Sequence, residues 1–408
     1  MNRDQFYEDV HDMVNKYHDT TFYLICSNIK DFKFINEIFG MEKGNQVLIK
    51  QAKLMASNPS ERTICARLMN DRFALCLPRE EFDEKRVADS IKELQREFSG
   101  NSFHLHTYMG VYEIRDRDEA VSIMVDKANI AADTIKNNYD CCVAYYDEHL
   151  LEISIEQRRL LGEFEPALQK DEFAMYLQPQ VNRDGVASGA EALVRWVHPS
   201  RGILTPYAFI DILENAGLIY KLDLYIWEKA AQKLAEWKEK GYGSYHISVN
   251  ISTKDFYIID IYETFTGLIN KYGIAASNLH LEITETTLMT DFEKNMNIIH
   301  KLQGVGFRVE IDDFGSGYSS LNMLKDISAD VLKIDMGFLR KSENEVKGQD
   351  ILESIIALAG KIGMDVITEG VETKKQLDML TMMGCHEFQG YYFSKPVPVS
   401  KFEEKYLV

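Results

Sequence analysis

The sequence predicts an α/β protein in which a C-terminal (β/α)8 barrel follows a smaller α/β domain. Three observations predict it. Eight strand-like runs, mostly followed by helical stretches, fill about 240 residues after position 165, the signature of a closed parallel barrel rather than an open sheet. A shorter alternation of strand and helix occupies residues 21–148. The two are joined by a charge-rich helical segment. A chain of 408 residues has room for two or three domains at about 100 to 200 residues each.

The first domain, residues 1–148, begins with the strand "TFYLICSNI". The helix "NQVLIKQAKLMAS", the strands "TICARLMN" and "RFALCLP", the helix "EKRVADSIKELQREF", the strand "SFHLHTYMGVYEI" and the helix "AVSIMVDKANIAADTIKNN" follow. Asn70 and Asp71 tolerate the positive φ of a tight turn, so the strands flanking them form a hairpin. Residues 149–165 form the connector, with Leu150, Ile153, Leu160 and Leu161 on one stripe of a stiff helix.

The barrel spans 166–408. Its strands are "FAMYLQPQV", "ASGAEALVRW", "YHISVNIS", "LHLEITE", "FRVEIDDFG", "VLKIDM", "DVITEGVE" and "EFQGYYFSKP". One helix shows both ends: Thr290 with Glu293 makes a capping box, Phe292, Met296, Ile299 and Leu302 share a face, and Gly304 and Gly306 stop it.

Composition narrows the function classes. With 46 Lys+Arg against 64 Asp+Glu, the net charge is -18, and no basic run interleaved with aromatics occurs, which argues against a long nucleic acid. The six cysteines lack C-x-x-C spacing and companion histidines, so neither a zinc site nor a disulfide framework is expected. No leader pattern and no stretch of 18 or more apolar residues is present, so a soluble, cytoplasmic protein is expected, with no membrane partner.

Strand ends of a parallel barrel face the active-site mouth. Glu191 lies in "AEALVRW", Asn250 ends "ISVN", Glu282 and Glu285 end "LEITE", and Asp312 with Asp313 end "VEIDD". Lys333 lies in "VLKID", Glu369 ends "VITE", and Gln389 opens "FQGY". A lone acidic strand end is ordinarily a surface charge or helix cap. Acid, amide or ammonium groups on six or more strands share one rim, and surface charges have no reason to do that.

Clustered carboxylates raise one another's pKa unless cations neutralise them, and hard oxygen ligands without Cys or clustered His select Mg2+ or Mn2+. Two divalent cations plus Lys333 balance Glu191, Glu282, Asp312, Asp313 and Glu369, and a site so balanced accepts an anionic phosphodiester. The glycines of "GSGYSS", 315–320, allow a sharp turn but do not extend to a dinucleotide-binding fingerprint.

"EALVRW", "SVNIS", "LEITE", "DDFGSGYSSL", "LKID", "TEGVE" and "QGYYFSKP" together resemble the EAL domain, the cyclic di-GMP phosphodiesterase barrel, over about residues 155–408. The resemblance implies a TIM-like barrel whose first strand runs antiparallel and two Mg2+ or Mn2+ ions per active site. It implies Glu191, Asn250, Glu282, Asp312 and Asp313 as metal ligands, Asp312 from the strand and Asp313 from the turning loop. Lys333 would orient water or a phosphate oxygen, Glu369 would support the metal and water network, Glu285 would hold the loop after the aspartates, and Gln389 would sit beside the metal-bound water. Gln178, Leu193 and Arg195 would line the nucleotide.

"NIKDFKFINEIFG" and "ARLMNDRFAL" resemble the GGDEF diguanylate cyclase domain, a ferredoxin-like palm, but depart from its signature. Met69 and Asn70 stand where paired glycines belong, Arg72 reverses a charge, Asn28 replaces a metal-binding aspartate, and Lys30 replaces the second acid. "SERT", Ser60 to Thr63, replaces the inhibitory R-x-x-D. No cyclase activity is expected. The domain is regulatory or structural, with GTP as its possible ligand.

The expected activity is metal-dependent hydrolysis of cyclic di-GMP to linear pGpG, by a homodimer as the resemblance implies. A catalytically silent receptor for the nucleotide is the alternative, disfavoured by the intact rim. An enolase-like barrel lacks its second-base constellation here.

Overall fold

A computed structural model describes residues 2–30, 32–56, 60–98, 105–136, 138, 141–314, 327–335 and 345–407. The glycine-rich loop 315–320 lies outside the described residues. The chain divides into two compact units, Met1–Arg159 and Leu160–Val408.

The first unit carries the strands β1 (Phe22–Ile29), β2 (Ile64–Met69), β3 (Arg72–Pro78), β4 (Thr107–Glu113) and β5 (Val143–Tyr145) in the order β2-β3-β1-β4-β5. All pairs are antiparallel except β4 with β5. The expected hairpin forms between β2 and β3, with Asn70 at φ 51°. Its two faces are covered by different helices. Leu24, Cys26, Ala74 and Tyr112 pack with Phe6, Val10 and Met124, whereas Ile25, Phe73, Leu75 and Val111 pack with Val47, Ile91 and Leu94. That split follows from the two-residue period of the strands.

In the second unit, β6 (Phe173–Val181), β7 (Ala187–His198), β9 (His246–Ile251), β10 (Leu279–Thr284), β11 (Val309–Phe314), β12 (Val331–Asp335), β13 (Asp365–Glu369) and β14 (Glu387–Phe388) form a closed barrel. Two short strands, β8 (Gly202–Leu204) and β15 (Val397–Pro398), add to β7 and β6. β6 runs antiparallel to both β7 and β14, and the other barrel pairs are parallel. On β10, Leu279, Leu281 and Ile283 are wholly buried in the apolar core. Alternation therefore turns His280, Glu282 and Thr284 into the barrel lumen.

One expected helix end differs. Thr290 closes a short helix, Glu285–Thr290, and bonds back to the carbonyl of Thr287. The next helix, Phe292–Val305, has Asp291 as its N-cap with no side-chain cap bond, so no capping box forms at Thr290. Gly306 ends it in the left-handed conformation at φ 107°, as glycine permits and other residues resist.

Candidate active site

The barrel's C-terminal rim gathers the expected polar residues around one ammonium group. Lys333 is 1% exposed. Its Nζ lies 2.7 Å from Glu369 Oε1, 2.8 Å from Glu282 Oε2, 3.3 Å from Asp312 Oδ1 and 3.5 Å from Glu191 Oε2. Register explains the convergence, because Glu282 pairs with Asn250 on one side and Glu310 on the other, while Thr284 pairs with Asp312.

Amides complete the ring. Asn250 Nδ2 donates to Glu191 Oε1 at 3.1 Å, and Gln389 Nε2 donates to Glu191 Oε2 and, at 3.3 Å, to Gln178 Oε1. Gln178 stands directly across from Glu191 in the β6–β7 pair and donates to the carbonyl of Ser394. Trp227 Nε1 holds the Asn250 carbonyl at 2.9 Å, fixing the end of β9.

The two adjacent aspartates diverge because the chain changes course between them. The β11–β12 register shifts between Ile311 and Phe314, and Asp313 adopts φ 55°, a left-handed conformation uncommon outside glycine. Asp312 stays with the lumen. Asp313 lines a cleft of about 430 Å³ together with Glu191, Leu193 and Asn250. Burial first, then Asp312, raises the Asp313 carboxyl.

Charge in this ring is unbalanced. Burial and the Glu191 charge raise Glu282 well above the carboxylate range, against the pull of Lys333. Burial raises Glu369 to about 8 despite Lys333. Burial alone would lower Lys333, but the surrounding carboxylates, Asp312 first, raise it instead. Glu282 Oε1 is buried without a partner, and Glu282 Oε2, Asp312 Oδ1 and Glu369 Oε1 have only the shared Lys333 ammonium beside them. An all-oxygen donor set with stranded lone pairs fits hard divalent cations of the Mg2+ or Mn2+ class.

Two expected contributors stand at the edge. Arg195 packs 5.6 Å above the Tyr176 ring and donates to the carbonyl of Val194. Glu285 begins the helix after β10, capped by Thr284, and the loop it is expected to hold lies outside the described residues.

The structure adds a wall that the strand-end reading missed. Glu214 and Asp223 line the same cleft, with Tyr207 exposed at its mouth. Burial and the neighbouring Asp255 push the Asp223 carboxyl well up, and Asp255 accepts from the Ser252 amide. The signal was present: Asp223 interrupts the helical stripe Ile219, Leu222, Ile226, Trp227 and Ala230, all of them buried. A second polar layer, Gln180, His246, Ser248, His280 and Glu310, lies toward the opposite mouth of the barrel.

In the first unit, Asn28 Nδ2 donates to the Tyr108 hydroxyl at 3.1 Å. Burial raises the Asp71 carboxyl. Among the described residues no helix is long and apolar enough to cross a membrane.

Comparison with known proteins agrees with this architecture. Residues 162–396 match the EAL domain, and residues 1–140 match the diguanylate cyclase GGDEF domain. A Pseudomonas aeruginosa protein named bifunctional diguanylate cyclase/cyclic di-GMP phosphodiesterase MucR is 30% identical over 94% of this chain and 57% of its own length. The cyclic di-GMP phosphodiesterase NbdA of the same organism is 28% identical over 92% of this chain and 49% of its own length. The chain thus spans about half the length of these relatives. Among solved structures, the PaMucR phosphodiesterase in complex with c-di-GMP superposes with TM-score 0.57 at 33% identity, covering 60% of this chain and 99% of that one. An EAL domain protein from Listeria monocytogenes gives TM-score 0.51 at 29% identity, over 60% of this chain and 97% of that one. The chain belongs to the EAL domain family, with a GGDEF domain in tandem ahead of the EAL barrel.

Proposed function

We propose that the chain hydrolyses cyclic di-GMP to linear pGpG at the barrel rim, with Mg2+ or Mn2+ as cofactor. The observation that carries this reading is the cluster of four buried carboxylates that share the single Lys333 ammonium, an excess of negative charge that leaves Glu282 Oε1 with no partner. Glu191, Asn250, Glu282, Asp312 and Asp313 would hold two cations, which when bound supply Lewis acidity and lower the pKa of water.

The chain's own groups do the rest. Lys333 is a fixed positive charge beside the place where a phosphate oxygen gains charge, and it orients the attacking water. Water attacks phosphorus in line, the P–O3′ bond breaks, and the leaving 3′ oxygen takes up a proton. Glu369, beside Lys333, supports the water network, and Gln389 holds Glu191 in place. Leu193 offers an apolar contact to a base, Arg195 and Gln178 line the nucleotide, and Glu285 steadies the rim loop. The Asp223 and Glu214 wall suits the N1–H and amino donors of guanine.

In the first domain, Met69, Asn70, Arg72, Asn28 and Lys30 leave no metal-holding pair, so it acts as a regulatory or structural element with GTP as its candidate ligand. The engagement of Asn28 with Tyr108 supports this. The working form is a cytoplasmic homodimer.

Incubation of the purified chain with cyclic di-GMP and either cation, resolving pGpG by chromatography beside Glu191→Ala, tests the reading. Product from the wild type alone is expected. Binding without product under both cations would replace it with the receptor reading.

A further inference from the structure

Thr287 is 1% exposed, and each of its polar atoms is engaged. Its amide donates to Thr284 Oγ1 at 3.3 Å, and its carbonyl accepts from Thr290 Oγ1 at 2.7 Å and from Asn295 Nδ2 at 2.9 Å. Its own Oγ1 stands 2.7 Å from Thr253 Oγ1 and 2.9 Å from Thr284 Oγ1. Three hydroxyls thus form a chain along the cleft that Asn250 and Asp313 also line.

That is more than a helix cap requires. In the short helix Glu285–Thr290, the cap is complete once Thr284 accepts the Thr287 amide. A valine at 287 would fill the same space without taking a hydroxyl out of water. The hydroxyl adds two contacts, and one of them leaves the helix altogether, reaching Thr253, three residues beyond Asn250 at the end of β9. The other reaches Thr284, which lies two residues beyond Glu282 on β10 and pairs with Asp312 on β11. Asn295, also 1% exposed, fastens the same point to the helix Phe292–Val305.

The segments joined in this way carry the expected cation ligands. Four carboxylates share one ammonium there, and their like charges repel. A helix of six residues is too short to hold its place by its own hydrogen bonds. Its position, and that of Glu285 at its start, is therefore set by ties to its neighbours. Trp227 holds the Asn250 carbonyl, and Thr287 holds the chain just after it.

We infer that Thr287 is a positioning residue of the rim. Its hydroxyl locks the end of β9 to the end of β10 and keeps Asn250 and Glu282 at the spacing a shared cation needs. It acts through Thr253 and Thr284, and the inference rests on the reading of the rim as a cation site.

Mn2+ titration of the full chain without nucleotide, followed by loss of the free-ion electron paramagnetic resonance signal, tests this beside thermal melting. Thr287→Val removes the bridging hydroxyl and should weaken Mn2+ binding about 10- to 100-fold. Thr253→Val, at a half-buried position, breaks the same bridge from its other end and should act in the same direction even where Thr287→Val does not fold. Thr287→Ser keeps the hydroxyl and should bind as the wild type does. A hydroxyl that serves folding alone would lower the melting temperature and leave Mn2+ affinity unchanged in the folded variants, which overturns the inference. Equal loss of affinity in Thr287→Ser and Thr287→Val overturns it as well. Wild-type protein that takes up no Mn2+ would overturn the cation reading of the rim and this inference with it.

Discussion

Lys333 Nζ stands 2.7 Å from Glu369 Oε1 inside the barrel, yet neither atom has a hydrogen bond of good geometry. Burial in the barrel holds the two groups together. It makes the rim sensitive to whatever else brings positive charge there, and the first two predictions follow from that.

Protons and cations compete at Glu369. Its folded-state pKa of about 8 lies above the ordinary 4.5, so between those values the native state keeps a proton that the unfolded chain releases. Metal-free stability therefore falls as pH rises across this window, the reverse of the usual carboxylate case. Ionised Glu369 adds negative charge beside the residues that would hold the cations, so Mg2+ affinity rises with pH by up to about tenfold per unit for one displaced proton and levels off above the folded pKa. Melting and calorimetric titrations at several pH values check both slopes. Flat profiles would show that Glu369 does not carry the proton.

Lys333→Met removes the buried ammonium while keeping bulk. Without divalent cations, the stranded carboxylates should cost about 3–5 kcal/mol of stability. Saturating Mg2+ should recover most of that, while hydrolysis stays down by about 10²–10³-fold, as for loss of a charge-stabilising donor. Denaturant unfolding with and without Mg2+, beside product assays, separates the two roles. Full activity in the Mg2+-loaded variant would remove Lys333 from the chemistry.

Much of this arrangement is legible in the sequence because polar residues interrupt apolar runs at their ends. Glu191, Glu282, Asp312, Lys333 and Glu369 could be assigned to one rim before any coordinates. Pattern alone does not give the reversed direction of β6, because burial on a strand reads the same in either direction. Asp223 was hidden because attention to strand ends passes over an acid set inside the apolar stripe of a helix. Glu310 was passed over as the strand neighbour of Asp312, although two-residue alternation puts both on the lumen face. Thr290 matched a capping spacing, but the short helix before it claimed that hydroxyl.

Asp313 pays a conformational cost for its position at the cleft. At φ 55°, Asp313→Gly should raise stability by about 1 kcal/mol in metal-free protein. The same change should abolish product formation if the carboxylate holds a cation. Asp313→Asn, which tolerates that backbone, should lose activity without the gain in stability. Wild-type turnover in the glycine variant would leave Asp313 as a loop residue only.

Gly390 tests whether Gln389 acts through its position. A Cβ there would overlap the Val371 backbone, and the chain on either side is tied to Val371 by Gln389 O at 3.2 Å and Tyr392 N at 2.9 Å. Gly390→Ala must therefore move this segment, at about 1–3 kcal/mol, and with it the amide that Gln389 donates to Glu191. Displacement near 1 Å should lower hydrolysis on the order of a hundredfold. Gly304→Ala, in a helix with open space around it, should instead stabilise by about 1 kcal/mol and leave turnover unchanged. Equal turnover in the two variants would place Gln389 outside the working geometry of Glu191.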